Sequence, residues 1–363
     1  MKQLETVRYR SYSEIDAVFE NVNCGEENAS PAELLGFPAR DSVSPETDLK
    51  RVTSCQNCTT RSVQCASMSF PFALPPVPAS PAIPTWTGRG FQIGPRLEPV
   101  LSYAVTDDSG WTDGLTDFHE SLSGDRHYID VASRRNSLSR LRKWVKHDRP
   151  VIMDIGCSSG FLLRDIRAAF PHAQVVGADY VPAPLHKLAN AHPDWPLIQL
   201  DLTTSPLPDA CLDAASLSNV LEHIGDDALA LRQVFRMLRP GGVAVIEVPA
   251  GPTLFDVYDK QLMHFRRYNR KGLHDVLAGA GFEVHDESHI GFLVYPPFAL
   301  IKKRNKRYLS RPDAEQMKIV EGSISIASEN PIMNAIMSVE ELLRYRLPFP
   351  FGIRCVAVGR KPQ

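Results

Sequence analysis

The sequence lacks the features that mark membrane-spanning and secreted, disulfide-bonded proteins. It has no uncharged apolar run of about 18 residues, the length that a membrane-spanning helix needs, and its first residues lack the charged-then-apolar layout of a secretory signal. The seven cysteines are odd in number. Cys157, Cys211 and Cys355 lie in apolar, strand-like surroundings, where a buried free thiol is usual. We therefore expect a cytoplasmic protein without a disulfide framework.

An excess of charge of either sign is also missing. The 40 basic and 42 acidic side chains give a formal net charge of -2, which argues against attraction of the whole protein to nucleic acid or to an anionic membrane. One local basic cluster is formed by Lys302, Lys303, Arg304, Lys306 and Arg307. We interpret it as a solvated loop, and a helix edge in weak peripheral contact with a membrane or a lipid-like substrate is the alternative. Because it lacks interleaved aromatic residues, we expect no nucleic-acid partner.

What the chain does contain is a three-part pattern. Residues 1–90 carry four of the seven cysteines and end in a proline-rich stretch, which we interpret as a linker after a small irregular domain. Residues 91–148 include apolar positions at helical spacing and suggest a helical connector or lid. Residues 149–363 alternate between short β-like runs and helical segments, which predicts an α/β domain with a parallel sheet and helices on both faces.

The first predicted strand of the α/β domain leads into a loop of small residues. Asp154 ends the strand, and the turn from Gly156 through Ser158 to Gly160 opens directly into a helix, at the edge where ligands of open parallel sheets bind. Ser158 stands where the dinucleotide fingerprint G-x-G-x-x-G needs a glycine, and no P-loop motif occurs. Asp154 would repel a pyrophosphate but suits the amino group and the sulfonium of S-adenosylmethionine.

Polar residues also end the next three predicted strands. Asp179 ends the second, where a carboxylate can accept hydrogen bonds from both ribose hydroxyls of an adenosine. Asp201 ends the third, so that its side chain or the backbone of Leu202 can contact the adenine edge, and Asn219 ends the fourth. The alternative for these residues is a turn-capping role, which is common for aspartate and asparagine.

These motifs carry a family resemblance. DIGCSSG, GAD, LDAASLSNVLEHI and LRPGG followed by VAVIEVP resemble, in order, the motifs of class I S-adenosylmethionine-dependent methyltransferases. The resemblance implies a Rossmann-like seven-stranded sheet with a reversed last strand. It places Asp154, Gly156 and Gly160 around the methionine part of the cofactor, Asp179 on the ribose and Asp201 near the adenine. The family usually has glycine where Ser158 stands.

Two histidines are candidate bases, since a hydroxyl acceptor can lose its proton to histidine. We favour His264, in the insertion after the fifth strand, and interpret His223 as packing or capping the next helix. Beside His264, the side chains of Arg266, Arg267 and Tyr268 can clamp an anionic acceptor; a solvated turn is the alternative. The stretch HFRRYNRKGL followed by AGAGF resembles methyltransferases that act on small metabolites.

The N-terminal cysteines suggest a metal site. Cys55 and Cys58 have the spacing of a zinc knuckle, and Cys24 is a third candidate ligand. The layout resembles the N-terminal zinc ribbon of several small-molecule methyltransferases, but Asn21 stands where the first cysteine belongs. Zinc is therefore weighed against a degenerate ribbon that serves as a substrate lid or as a homodimer surface.

The sequence thus predicts methyl transfer from S-adenosylmethionine to a small organic acceptor, in secondary metabolism, with oxygen, nitrogen and carbon acceptors all open. A strong base is optional, because aligning the acceptor with an activated methyl group supplies most of the catalysis. One alternative is a protein or nucleic-acid methyltransferase, although SNVLEH stands where an Asn-Pro-Pro-Tyr-like motif would. The other is a noncatalytic module that binds the cofactor.

Overall fold

The computed structural model describes residues 70–78, 80–104, 125, 127–325, 331–344 and 348–363. The predicted zinc ligands Cys24, Cys55 and Cys58 lie outside these residues. The described strands are β1 (Thr85–Trp86), β2 (Phe91–Ile93), β3 (Arg96–Glu98), β4 (Leu101–Ser102), β5 (Val151–Ile155), β6 (Gln174–Asp179), β7 (Leu197–Gln199), β8 (Leu212–Ser218), β9 (Leu238–Pro249), β10 (Glu283–Ile290) and β11 (Arg354–Arg360). The α-helices are α1 (Tyr128–Trp144), α2 (Phe161–Ala169), α3 (Pro182–Ala191), α4 (Asp227–Met237), α5 (Val257–Gln261), α6 (Arg270–Gly279), α7 (Tyr295–Asn305), α8 (Asp313–Ser325) and α9 (Pro331–Arg344).

The main sheet has eight strands in the order β10-β11-β9-β8-β5-β6-β7-β4. The central strand β5 runs parallel to β6 and β8, and β7 and β9 extend the parallel set on the two sides. The last strand, β11, is antiparallel to both β9 and β10. The predicted α/β fold with a reversed last strand is confirmed, and β4 adds a short eighth strand parallel to β7.

The central strand β5 is covered by helices on both faces. All five of its residues are buried, as expected for a parallel strand between two layers. Met153 packs in one core with Leu231 of α4 and Leu277 of α6. Ile152 points to the opposite face, because side chains alternate along a strand, and packs in a second core with Leu163 of α2. The helices cover both faces of the sheet, so a ligand can approach it at the edge formed by the carboxyl ends of the parallel strands.

The proline-rich stretch differs from the predicted linker. Leu74 and Val77 are buried in the same core as Met153, and the carbonyl of Pro75 accepts a hydrogen bond from the hydroxyl of Tyr103 at 2.7 Å. Prolines suit an extended chain that donates few backbone hydrogen bonds, so the apolar residues between them are free to pack. The segment therefore covers part of the sheet instead of spanning open solvent.

The interpretation of the basic cluster as a solvated loop is wrong for Lys302. Helix α7 carries its prolines in the first turn, where a missing N–H costs no helical hydrogen bond, and Lys302 lies in its last turn. Lys302 is only 6% exposed, because its ammonium group is paired with the buried carboxylates of Asp256 and Asp259. Among the described helices, none is both long and apolar enough to cross a membrane.

Candidate active site

A cavity of about 810 Å³ lies at the carboxyl ends of β5, β6 and β8, whose last residues Ile155, Asp179 and Ser218 form part of its wall. The volume falls in the range of roughly 300–1,000 Å³ that is usual for small-molecule sites. The predicted residues that line it are Gly156, Ser158, Asp179, Asp201, Leu202, Asn219, His223, His264 and Arg267. The predicted residues outside its lining are Asp154, Gly160, Arg266 and Tyr268.

The loop between β5 and α2 bends tightly at the cavity wall. Gly156 has a φ of 75°, and a Cβ there would lie 2.4 Å from Cγ2 of Val220. Gly160 has a φ of 74°, and a Cβ there would lie 2.7 Å from Cδ2 of Leu188. Ser158 has a φ of 45°, in the left-handed region that favours glycine. This geometry is consistent with the family's usual glycine at that position.

Replacing Gly156 with alanine is expected to destabilise the protein and to weaken cofactor binding. The new Cβ adds left-handed strain of about 1–2 kcal/mol and must displace Val220, which itself lines the cavity. Urea denaturation and calorimetric titration with S-adenosylhomocysteine measure the two effects. Gly279→Ala in α6 is the matched control, because its Cβ meets open space and alanine is favoured in helices. Two variants of equal stability would contradict the strained loop.

Asp179 ties this loop to the next strand. Its Oδ2 accepts a hydrogen bond from the backbone N–H of Ser158 at 2.9 Å, and its Oδ1 accepts one from the N–H of Val181 at 3.0 Å. Asp201 caps a turn, as the alternative interpretation expects: its Oδ1 accepts bonds from the N–H and the hydroxyl of Thr203, at 2.8 and 2.7 Å. Asp201 caps this turn and also lines the cavity.

Leu202 and Asn219 complete this part of the wall. Leu202 is buried and supplies an apolar surface. Asn219 has a φ of 55°, and its N–H donates a hydrogen bond to the carbonyl of Glu247 at 2.9 Å. A closely approaching backbone loop, a carboxylate for hydroxyl groups and an apolar wall are the features that an adenosine-containing cofactor needs. The residues present therefore fit S-adenosylmethionine.

Asp154 does not line the cavity. It is buried, and its Oδ1 accepts a hydrogen bond from the hydroxyl of Ser216 at 2.5 Å. Burial raises the pKa of Asp154 to about 7; the hydrogen bond from Ser216 opposes the rise, and the negative charge of Asp179 adds to it. Its side chain faces Ser216 of β8 and does not line the cavity, and its expected place near the methionine part of the cofactor stays a prediction.

The proton on Asp154 is expected to stabilise the folded protein at low pH, so the protein should become less stable as the pH rises from about 4 to about 7. An unfolded aspartate has a pKa of about 3.9, so the folded protein holds this proton more tightly. The contribution is fully present below the unfolded pKa and is lost as the pH rises through the folded value of about 7. Asp154→Asn should remove up to about 1.4 kcal/mol per pH unit from this slope. Denaturation of both proteins across this range tests it, and parallel slopes would contradict it.

A buried ionic cluster of five residues lies between α5, the loop that follows it and α7, and four of its members, Asp256, His264, Arg267 and Lys302, line the cavity. Oδ1 of Asp259 lies 2.7 Å from Nη1 of Arg267 and 2.9 Å from Nδ1 of His264. Nζ of Lys302 lies 3.1 Å from Oδ2 of Asp259 and 2.7 Å from Oδ1 of Asp256. Burial opposes ionisation of Asp259, but the hydrogen bond from His264 and the charges of Lys302 and Arg267 outweigh it and lower its pKa. Since an ionised carboxylate only accepts, Nδ1 of His264 carries the proton.

Both predicted histidines reach the cavity, and a carboxylate accompanies them. The rings of His223 and His264 meet edge to face, with centroids 4.7 Å apart, and burial lowers the pKa of His264. Glu222 also lines the cavity and is fully buried, and its two carboxylate oxygens have no hydrogen-bond partner among the described residues. Burial raises the pKa of Glu222 to about 8. The sequence analysis missed Glu222, although it lies next to His223 in the NVLEHI motif.

The structure separates the three residues of the predicted acceptor clamp. Arg267 lines the cavity and is held by Asp259. Arg266 and Tyr268 instead contact Asp227, with Nη1 and the hydroxyl at 2.7 and 2.6 Å from its Oδ2. Because neighbouring residues of an extended segment point to opposite sides, the flanking pair fixes this loop to α4 and stays out of the cavity.

Arg354 is a cavity residue that the sequence analysis did not find. Its Nη1 lies 2.8 Å from Oε1 of Glu247, and its Nη2 lies 2.7 Å from Oδ1 of Asp130. The Coulombic attraction of these carboxylates raises the pKa of Arg354 although burial opposes it. Arg354 lies on β11, Glu247 on β9 and Asp130 on α1, and no local motif connects these elements. Only the tertiary fold brings the three residues together.

Comparison with known proteins agrees with this geometry. Residues 153–246 match the methyltransferase domain family. The chain is 33% identical over 140 residues to a probable S-adenosylmethionine-dependent methyltransferase of Mycolicibacterium smegmatis, covering 37% of this chain and 52% of that protein. It is 31% identical over 127 residues to trans-aconitate 2-methyltransferase of Azoarcus sp. (strain BH72), covering 34% of this chain and 50% of that protein.

The chain thus spans about half the length of these curated relatives. Phosphoethanolamine N-methyltransferase 2 of Haemonchus contortus, solved with S-adenosyl-L-methionine, is 16% identical with a TM-score of 0.44, covering 72% of this chain and 61% of that chain. The family match lies on β5 to β9, the strands that carry the glycine loop, Asp179 and Asn219. Residues 153–246 therefore belong to the methyltransferase domain family.

Proposed function

We propose that the protein transfers a methyl group from S-adenosylmethionine to a small organic acceptor. One observation carries the proposal: a single cavity is lined both by the glycine loop with Asp179 and by the buried ionic cluster with His264. The first set fits the adenosine part of the cofactor, and the second offers oriented polar groups for an acceptor.

Different residues of the cavity have different roles in the proposed reaction. When bound, S-adenosylmethionine supplies a methyl group activated by a positively charged sulfur. Asp179 accepts hydrogen bonds from ribose hydroxyls and holds the glycine loop. The apolar side chains of Phe298 and Ile301, which line the cavity, keep water from the reacting atoms. His264, oriented by Asp259 through Nδ1, presents Nε2 as a hydrogen-bond acceptor for the proton of an acceptor hydroxyl.

A small acceptor is favoured over a macromolecule by the volume of the cavity, which at about 810 Å³ falls within the range of small-molecule sites. Arg267, Lys302 and Arg354 line it as members of buried ion pairs, so its wall offers polar groups that are already held in place. The relative from Azoarcus is named for trans-aconitate, a small organic acid, which supports the same acceptor class. We place the acceptor among small metabolites, including those of secondary metabolism.

Calorimetric titration with S-adenosylhomocysteine, followed by mass spectrometry of candidate acceptors incubated with S-adenosylmethionine, tests the proposal. Binding with methylation of a small organic acid or alcohol is expected. His264→Asn, which can still donate to Asp259, should lower turnover far more than cofactor affinity, and His274→Ala, on the partly exposed side of α6, should change neither. Cofactor binding without turnover on any acceptor would favour the noncatalytic module, and equal losses of turnover and affinity would reject the acceptor-side role of His264.

A further inference from the structure

We propose that Glu222, His223 and His264 bind one divalent transition-metal ion at the wall of the cavity. Each residue offers one ligand atom, and these atoms all lie within 4.8 Å of one another. All three residues line the cavity, so an ion held by them would face the space assigned to the acceptor. No residue of the predicted N-terminal zinc site takes part.

The first reason to place a metal ion here is the position of the Glu222 carboxyl group, buried and without a partner in the described part of the chain. Its side chain is 0% exposed, and neither carboxylate oxygen has a hydrogen-bond partner within the described ranges. A buried carboxylate without a partner is costly, and native proteins rarely keep one. The nearby cations are committed elsewhere: Arg354 to Glu247 and Asp130, and Arg267 to Asp259. A metal ion bound to Glu222 would give this carboxyl group the partner that it lacks among the described residues.

The orientation of His264 is the second reason. Its Nδ1 donates to Oδ1 of Asp259 at 2.9 Å, which leaves Nε2 as the ligand atom. Histidines that bind metals almost always donate their other N–H to a carboxylate or carbonyl, because this bond fixes the ring and raises its basicity. Asp259 is itself held by Arg267 and Lys302. The histidine is therefore oriented by a rigid outer layer before any ion binds.

The ligand set determines the class of metal. Two imidazoles and one carboxylate suit zinc in catalytic sites and non-haem Fe(II). Ligand bonds of about 2.0–2.1 Å place the ligand atoms of a tetrahedral site about 3.3 Å apart, so the three side chains must draw together by up to about 1.5 Å on binding. Three protein ligands leave at least one coordination position open toward the cavity.

The metal site also limits the chemical class of the acceptor molecule, a consequence that rests on the proposed function. With the ion bound, Nε2 of His264 is a ligand and no longer the proton acceptor, and an acceptor hydroxyl coordinated at the open position would instead lose its proton to water, since a metal cation lowers the pKa of a bound oxygen. The oxygen lone pair then forms the bond to the methyl carbon as the carbon–sulfur bond breaks. The acceptor class is accordingly a small molecule methylated on a hydroxyl or carboxylate oxygen.

The test uses the full chain carrying Cys24→Ser, Cys55→Ser, Cys58→Ser and Cys65→Ser, so that the N-terminal cysteines do not bind the probe. Metal is removed by chelation, and Co²⁺ is titrated while the visible absorbance of the bound ion is followed; Zn²⁺ is then titrated by calorimetry. We expect one equivalent of each ion. Glu222→Gln and His223→Ala should weaken binding by roughly 10-fold or more, and the outer-layer variant Asp259→Asn by about 10- to 100-fold. His274→Ala should bind as the parent does.

Circular dichroism of each variant and titration with S-adenosylhomocysteine on the same samples separate the possible failures. Glu222→Gln keeps the shape of the side chain and replaces a buried ionisable group with a neutral one, so it should fold. An absence of Co²⁺ absorbance in the parent, or equal affinities of the parent and Glu222→Gln, would overturn the metal site. If the parent binds the metal but not S-adenosylhomocysteine, the metal site stands and the proposed methyl transfer is rejected.

Discussion

Asp179→Ala is expected to lower the affinity for S-adenosylhomocysteine by roughly 100-fold or more. A hydrogen bond to a charged group contributes about 1.5–3 kcal/mol, and about 1.4 kcal/mol corresponds to a tenfold change. Two ribose hydroxyls therefore account for a loss of this size. The variant also removes the acceptor for the N–H of Ser158, so the glycine loop loses a support at the same time.

Two further variants separate the loss of ribose contacts from the loss of loop support. Asp179→Asn keeps one acceptor oxygen and should fall between the parent and Asp179→Ala in affinity. Asp194→Ala removes an exposed carboxylate that pairs with Arg167 on the surface and should leave the affinity unchanged. Thermal melting without ligand reports the effect on the loop alone. An Asp179→Ala protein that binds S-adenosylhomocysteine as tightly as the parent would remove Asp179 from the cofactor site.

The sequence could predict that the residues proposed to hold the cofactor lie together, because they follow strands in order. A parallel sheet places every strand's carboxyl end on one edge, so Asp179, Asp201 and Asn219 were expected to be neighbours before any coordinates. The structure places all three on the cavity wall. The glycine loop follows the same logic, since its φ values require small residues.

The remaining part of the site could not be predicted because its contacts join segments far apart in the chain. Lys302 reaches Asp256 and Asp259 from α7, and nothing in a run of basic residues shows that one of them is buried. Arg354, on the last strand, pairs with Asp130 of α1, which lies far earlier in the sequence. In the loop after α5, the sequence shows a cationic stretch, but only the fold decides that Arg267 faces inward.

The short elements at the start of the described region escaped prediction for a different reason. Strand β4 has two residues, too few to show an alternating pattern. Leu101 is nevertheless fully buried and pairs with Ile198 of β7. Proline content alone does not distinguish a linker from a segment that packs on a sheet, and Leu74 and Val77 of this stretch are buried.

Asp259→Ala is expected to destabilise the protein by about 3–5 kcal/mol, the usual cost of breaking a buried ion pair from one side. Asp259 is fully buried and contacts Arg267, Lys302 and His264. Its removal leaves Arg267 without this buried carboxylate and leaves Lys302 with Asp256 alone. Urea denaturation near neutral pH measures the change in the free energy of unfolding. Asp275→Ala, which breaks an exposed pair with Lys271 on α6, is the control and should change it little.

A second substitution identifies the physical origin of this loss. If the cost comes from leaving Arg267 buried without its partner, then adding Arg267→Met to Asp259→Ala should restore part of the stability, because a buried ion pair replaced by apolar residues is often neutral or stabilising. If the attraction between the charges itself stabilises the fold, the double variant should be no more stable than Asp259→Ala. Recovery of stability would mean that the cluster is kept for its orientation of His264, since the fold would not need it. An Asp259→Ala protein as stable as the parent would show that the buried cations find other partners and that the cluster is not a rigid support.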